Sequence, residues 1–146
     1  MQSRLDYYAA SPEALKAMLA LEAAISLLSI DKPLLELVRL RASQLNGCAY
    51  CVDLHSINAR NLGESERRLH GLAYWREAPF FNSREMAALA WTEAVTLLTS
   101  TRVPDEVFQQ LQSEFSPQEM VDLTLAINTI NSWNRLAVSF RHGPTA

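Results

Sequence analysis

The sequence predicts an all-α domain of about seven helices, and three observations carry that reading. Leu and Ala together number 41 against 12 for Val and Ile, a balance that favours helix over strand. No stretch shows the clean period-two alternation of a half-buried strand. Proline stands mainly where segments begin, as in Ser11-Pro12, Lys32-Pro33 and Ser116-Pro117, where its missing N–H costs a helix nothing. With 146 residues and no linker or low-complexity stretch, the chain is expected to form a single domain over 1–146.

The elements follow in order. Ser11-Pro12-Glu13 reads as an N-cap, a first-turn proline and an acid that suits the positive end of the helix dipole. Ala14, Met18, Leu21, Ile25 and Leu28 then recur at spacings of four and three and predict one buried stripe. A second helix is expected from Pro33 to Leu45, stopped by Asn46-Gly47. A third runs from about Cys48 to Leu62 with Gly63 as its stop, and a short fourth from Ser65 to about Trp75. Glu77–Phe81 is a connector. Asn82 and Glu85 have the spacing of a capping box and open a fifth helix to about Leu98. Pro104 opens a sixth to about Phe115, and the box Ser116-Pro117-Gln118-Glu119 opens a long last helix to about Phe140.

Composition excludes several function classes. Hydrophobic residues make up 49% and charged residues 20%, enough apolar surface to bury a core. A net charge of −3 without a basic cluster argues against a nucleic-acid partner. Apolar runs such as Met86–Trp91 are far too short to span a bilayer, so no membrane partner is expected. The start, Met1-Gln2-Ser3-Arg4-Leu5-Asp6, lacks the basic-then-apolar form of a signal peptide. The expectation is a soluble, cytoplasmic protein.

The only two cysteines form one C-x-x-C, Cys48-Ala49-Tyr50-Cys51. In a reducing compartment an isolated C-x-x-C points to a redox pair or half a metal site. On a helix, Cys48, Cys51 and His55 fall at i, i+3 and i+7, within about a 60° sector. The pair would lie at a helix start, where unpaired N–H groups favour a thiolate. His55, four residues after Cys51, is near enough to exchange a proton with it directly or through a water. Glu36 interrupts the apolar run Leu34–Val38. It reads first as a surface carboxylate pairing with Arg39 at i+3; half-buried, it would have a raised pKa suited to proton transfer.

The stretch Glu36–Cys51 with His55 resembles the core of the alkylhydroperoxidase AhpD-like proteins of the carboxymuconolactone decarboxylase superfamily. The family motif is a Glu, eleven residues, C-x-x-C, three residues and a His, and Glu36, Cys48, Cys51 and His55 match each step. Ala88–Thr96 resembles the family's next helix, and Asn131–Ala137 resembles the close of its single-domain members. The resemblance covers about residues 10 to 140 and implies an AhpD-like helical fold, a trimeric or hexameric homo-oligomer and peroxide reduction without a cofactor. It implies that Cys51 attacks the peroxide, Cys48 resolves the sulfenic acid as a disulfide, and Glu36 and His55 relay protons. A dithiol electron donor, lipoyl-type or thioredoxin-type, would regenerate the thiols. The best-studied members carry His inside the C-x-x-C where this chain has Tyr50, a candidate neighbour of the reacting pair whose phenol does not shuttle protons near neutral pH as imidazole does.

Other readings weigh less. A thiol–disulfide oxidoreductase would use the same pair without peroxide. A decarboxylase-type lyase needs no second cysteine. A metal site would have three soft ligands in Cys48, Cys51 and His55 and would need Glu36 as a fourth, so no metal is expected. An oligomeric binding protein with a vestigial thiol pair is a further class. His70 and His142 read as surface residues, and Trp91 and Trp133 as core or subunit contacts. Glu93 is out of place in an apolar helix and would face a partner chain or the edge of the site. Asn128, Asn131 and Arg135 share one side of the last helix and read as a polar seam between subunits.

Overall fold

Burial of one helix on every side organises the molecule, a computed structural model describing residues 2–144. That helix is α3, Lys32–Asn46. Around it, in chain order, run α1 (Tyr7–Ala10), α2 (Pro12–Ile25), α4 (Ala49–Asn61), α5 (Glu66–Gly71) with a 3₁₀ turn (Leu72–Tyr74), α6 (Ser83–Thr96), α7 (Leu98–Thr101), α8 (Asp105–Glu114) and α9 (Pro117–Phe140). The described residues are all-α, as the composition predicts. Leu34, Leu35 and Val38 of α3 pack against Ala87 and Ala88 of α6, Leu111 of α8 and Leu123 and Ile127 of α9. Leu37 and Leu40 face Ala59, Leu72, Trp75 and Leu89 on another side. A helix enclosed this way has an apolar run in place of a stripe, which accounts for Leu34–Leu40.

The remaining side of α3 is polar. Glu36, Arg39 and Ser43, at spacings of three and four, are all buried and lie along one face. They face the region where α2, α4 and α9 converge. Ser43 Oγ donates to the Arg39 carbonyl at 2.7 Å and accepts from Asn134 Nδ2 of α9 at 3.1 Å. Asn46 Nδ2 donates to Asn131 Oδ1 at 2.7 Å and Asn134 Oδ1 at 2.8 Å. Asn131 also donates to Thr96 Oγ1 at 3.0 Å, so it is a buried link within the chain and not part of a subunit seam. The polar groups of the last helix turn inward because α3 offers them partners that water would otherwise supply.

Gly47 then reverses the chain. Its φ of 65° and ψ of 31° lie in the left-handed region, and the Cys48 N–H closes on the Ser43 carbonyl at 3.0 Å. Both sequence-predicted capping boxes are formed, Asn82 with Glu85 and Ser116 with Glu119. Ser11 occupies the N-cap of α2, but its hydroxyl makes no capping bond.

Some elements depart from the sequence reading. The inward stripe of α2 runs through Leu15 and Ile25, both buried, and Met18 and Glu22, both half-buried, with Ala14 and Leu21 exposed. Glu22, which an apolar pattern leaves out, is inward because Arg39 and Trp133 bond to it. The one-turn α1 is capped by Asp6, whose Oδ1 accepts from the Tyr8 and Ala9 N–H groups at 3.0 and 3.1 Å. The one-turn α7 follows α6 and ends at Arg102 and Val103, both at positive φ. Arg4 joins the two chain ends: its N–H donates to the Phe140 carbonyl at 2.9 Å and its Nη1 to Ser139 at 3.1 Å. Among the described residues no helix is long and apolar enough to cross a membrane.

Candidate active site

Cys48 is the N-cap residue of α4, its Sγ accepting the Cys51 N–H at 3.3 Å, and Cys51 lies in the first turn. The two are joined by a disulfide, with Cα atoms 5.4 Å apart. Both are buried among Ala42 of α3 and Ile130 and Ala137 of α9. They differ in access. Cys51 lines a cleft of about 280 Å³, whereas Cys48 does not. His55, one turn further along α4, lines the same cleft. The sequence-predicted face of Cys48, Cys51 and His55 is thus assembled at the start of α4, with Cys48 capping the helix from just outside it.

Glu36 reaches His55 across the antiparallel return of α4 on α3. Its Oε2 accepts from His55 Nδ1 at 2.8 Å and its Oε1 accepts from Arg39 Nη1 at 2.7 Å. A carboxylate on Nδ1 fixes the Nδ1–H tautomer and leaves Nε2 as the ring's basic nitrogen. The Arg39 pairing expected from sequence is present, but Glu36 is only 5% exposed, not at the surface. Its pKa is also lowered from the ordinary value, where burial alone would raise it. Burial is the largest influence and pushes it up, but the hydrogen bonds and charges of His55 and Arg39 together outweigh it. Glu36 is therefore an anionic anchor for the imidazole.

The pairing continues outward. Arg39 Nη2 donates to Glu22 of α2, and Glu22 Oε2 accepts from the Trp133 indole of α9 at 3.2 Å. A polar chain thus runs from Glu22 through Arg39 and Glu36 to His55. A second cleft, of about 310 Å³, is lined by Glu36 and Arg39 together with Lys32, Asn58 and Asn61. Asn58 lines both clefts.

Aromatic side chains wall the first cleft: Tyr7 and Tyr8 of α1, Tyr50 and Trp133. The Tyr8 and Trp133 rings stack with centroids 6.3 Å apart. Burial, with the neighbouring phenols adding to it, pushes the Tyr7 pKa up to about 12, and burial raises that of Tyr8. Both stay protonated and can donate to a bound oxygen. Tyr50 lines the cleft directly, and His142 packs edge-on against it at 4.5 Å. His142 is half-buried, unlike the surface residue expected; His70 is exposed as expected. Trp133 likewise belongs to the cleft wall. Trp91 is half-buried, donating to Thr124 Oγ1 at 2.9 Å.

Sequence reasoning missed Glu22, Tyr7, Tyr8 and Asn58. Asp6 was the one local signal for the tyrosines, since it caps the turn that carries them. Glu93 lies outside both clefts and accepts from Arg41 at 2.8 Å, Trp75 at 2.8 Å and Arg76 at 2.5 Å, a tie within the chain. No group of three or more His, Cys, Asp or Glu side chains among the described residues could hold a metal ion.

Known proteins share this arrangement of chain. The chain is 42% identical over 139 residues to the uncharacterized protein YdfG of Bacillus subtilis (strain 168), covering 95% of each. It is 42% identical to an Agrobacterium tumefaciens protein of unknown function, provisionally assigned as the antioxidant defence protein AhpD. That crystal structure aligns over 99% of this chain and all of the other, with a TM-score of 0.96. An uncharacterized peroxidase-related protein of Ralstonia eutropha JMP134, described as an alkylhydroperoxidase AhpD core, aligns at 22% identity and a TM-score of 0.83 over 94% of this chain and 74% of that one. At that identity it shows the fold alone. The carboxymuconolactone decarboxylase family matches residues 7–94, a span that holds Glu36, both cysteines and His55. The chain belongs to that family, and its fold is AhpD-like.

Proposed function

We propose that this protein reduces organic hydroperoxides through a Cys48–Cys51 thiol pair. The observation that carries the reading is the difference between the cysteines: Cys51 lines the cleft beside His55, while Cys48 lies behind it within disulfide reach. The Cys51 thiolate attacks the terminal peroxide oxygen. An S–O bond forms as the O–O bond breaks, the alcohol leaves after taking a proton, and Cys51 becomes a sulfenic acid. The Cys48 thiolate then attacks that sulfur, releasing water and forming the disulfide. A dithiol donor takes up the oxidation and restores both thiols. His55 Nε2 moves the protons, Glu36 holds the ring through Nδ1, and the second cleft gives Glu36 a separate way to solvent. A thiol pair that must be re-reduced each turnover fits the cytoplasm. The family resemblance adds a trimeric or hexameric homo-oligomer.

The test is trapping. After cumene hydroperoxide and dimedone, mass spectrometry of Cys48→Ser should find the label on Cys51, and Cys51→Ser should carry none. Either change should abolish turnover with a dithiol donor, while His55→Ala or Glu36→Gln should slow it by roughly 10²–10⁴-fold. A label on Cys48 in Cys51→Ser would reverse the roles. No label in either variant, with no disulfide re-formed in the wild type by peroxide, would overturn the peroxidase reading.

A further inference from the structure

Two charged side chains line the cleft over Cys51, Glu22 and Arg39, and they are not equally placed. They pair with each other, but the Glu22 side chain is 30% exposed and the Arg39 side chain only 9%. Of the two, the side chain that carries the negative charge is thus the more open to the cleft. Arg39 is also shared with a second carboxylate, Glu36, so the linked network holds two anions against one fixed cation. His55 is the other basic group in it, and Tyr7, Tyr8 and Tyr50 are the phenols that face it. Among the described residues no lysine lines the cleft, and apart from Asn58 its remaining walls are apolar or aromatic. Low-dielectric walls concentrate the field of such an unbalanced charge on whatever enters.

We propose that Glu22 is a specificity-determining residue that keeps anionic molecules away from Cys51, so that neutral hydroperoxides and neutral dithiols are the compounds the cleft admits. A hydroperoxide or thiol carrying a carboxylate meets the half-buried Glu22, and the one cation lining the cleft, Arg39, is already shared between two carboxylates. The neutral form of the same skeleton meets aromatic rings and protonated phenols. The inference rests on the function proposed above only in taking Cys51 as the reachable thiol; it does not need peroxide as the substrate.

Iodoacetamide and iodoacetate, alike in size and different in charge, separate the two claims. The Cys48→Ser protein is alkylated at pH 8, above the ordinary imidazole range, and the Cys51 rate with each reagent is read by mass spectrometry. The iodoacetamide-to-iodoacetate ratio is divided by the same ratio for 2-mercaptoethanol. At low salt the normalised preference should be roughly five- to tenfold, and it should fall towards one in 1 M salt. Adding Glu22→Gln should remove most of it, and Glu22→Asp, which keeps the charge, should retain it. A normalised ratio near one before Glu22 is changed, an unaltered preference in Glu22→Gln, or loss of preference in Glu22→Asp as well would each overturn the proposal. Failure to trap a sulfenic acid in the preceding experiment would leave this ratio readable.

Discussion

Cys51 sits in the first turn of α4, where backbone N–H groups lack helical partners and the helix dipole is positive, with His55 one turn away. Both features favour a thiolate over a thiol. Iodoacetamide alkylation of reduced Cys48→Ser against pH should therefore show an inflection below the free-cysteine value of about 8.5. An inflection at or above that value would remove the case for an activated nucleophile. The residues on α4 were legible in the sequence because a helix fixes their relation: Cys48, Cys51 and His55 need only a periodicity to share a face. Glu36 was legible as an anomaly, an acid in an apolar run, but its burial was not, because that depends on α4 folding back across α3. Glu22 and Trp133 were not legible as a pair at all. They stand 111 positions apart, and no local pattern relates them.

Glu93 ties three elements together at a point where the sequence showed only a misplaced acid. Arg41 of α3 and Trp75 and Arg76 beyond the 3₁₀ turn all donate to it from α6's neighbours. Burial pushes its pKa up most strongly, yet the bonds from Trp75, Arg76 and Arg41 prevail and lower it. A carboxyl with a lowered folded-state pKa adds stability that is complete above its ordinary value of 4.5 and fades as pH falls through the lower folded value. Arg76 is largely exposed and adds little, so Glu93→Gln should cost about 1–2 kcal/mol at pH 7. Urea titrations should show the gap from wild type narrowing below pH 4.5; a gap that stays constant with pH would contradict the sign. Capping boxes and proline positions marked the larger helices because those signals act within one turn. The buried face of α2 escaped, since Glu22 turns inward only when Arg39 is there to meet it. The short helix α7 escaped because Leu98-Thr99-Ser100-Thr101 carries no periodicity to read.

Apolar side chains remain uncovered on the single chain, including Leu19, Leu21 and Leu27 at α2 and Val121, Leu125 and Val138 on α9. Scattered exposed leucines are ordinary, but with the family resemblance they support the assembly proposed above. Sedimentation at micromolar concentration should give three or six times the 16.4 kDa of one chain, and a mass of one chain would contradict it. The meeting of the chain ends bears on how the molecule can be built upon. Arg4 is bonded to Phe140, and within a few residues on either side lie Tyr7 and Tyr8 of the cleft wall and His142 against Tyr50. Cargo carried on the chain next to Arg4 or to Phe140 would emerge beside the cleft, where it competes with entering molecules for space. The same adjacency favours circular permutation: a short peptide could join the segments that Arg4 and Phe140 bring together, and the chain could be reopened at residues 102–104, which line neither cleft. Fusion partners would then attach away from the thiols.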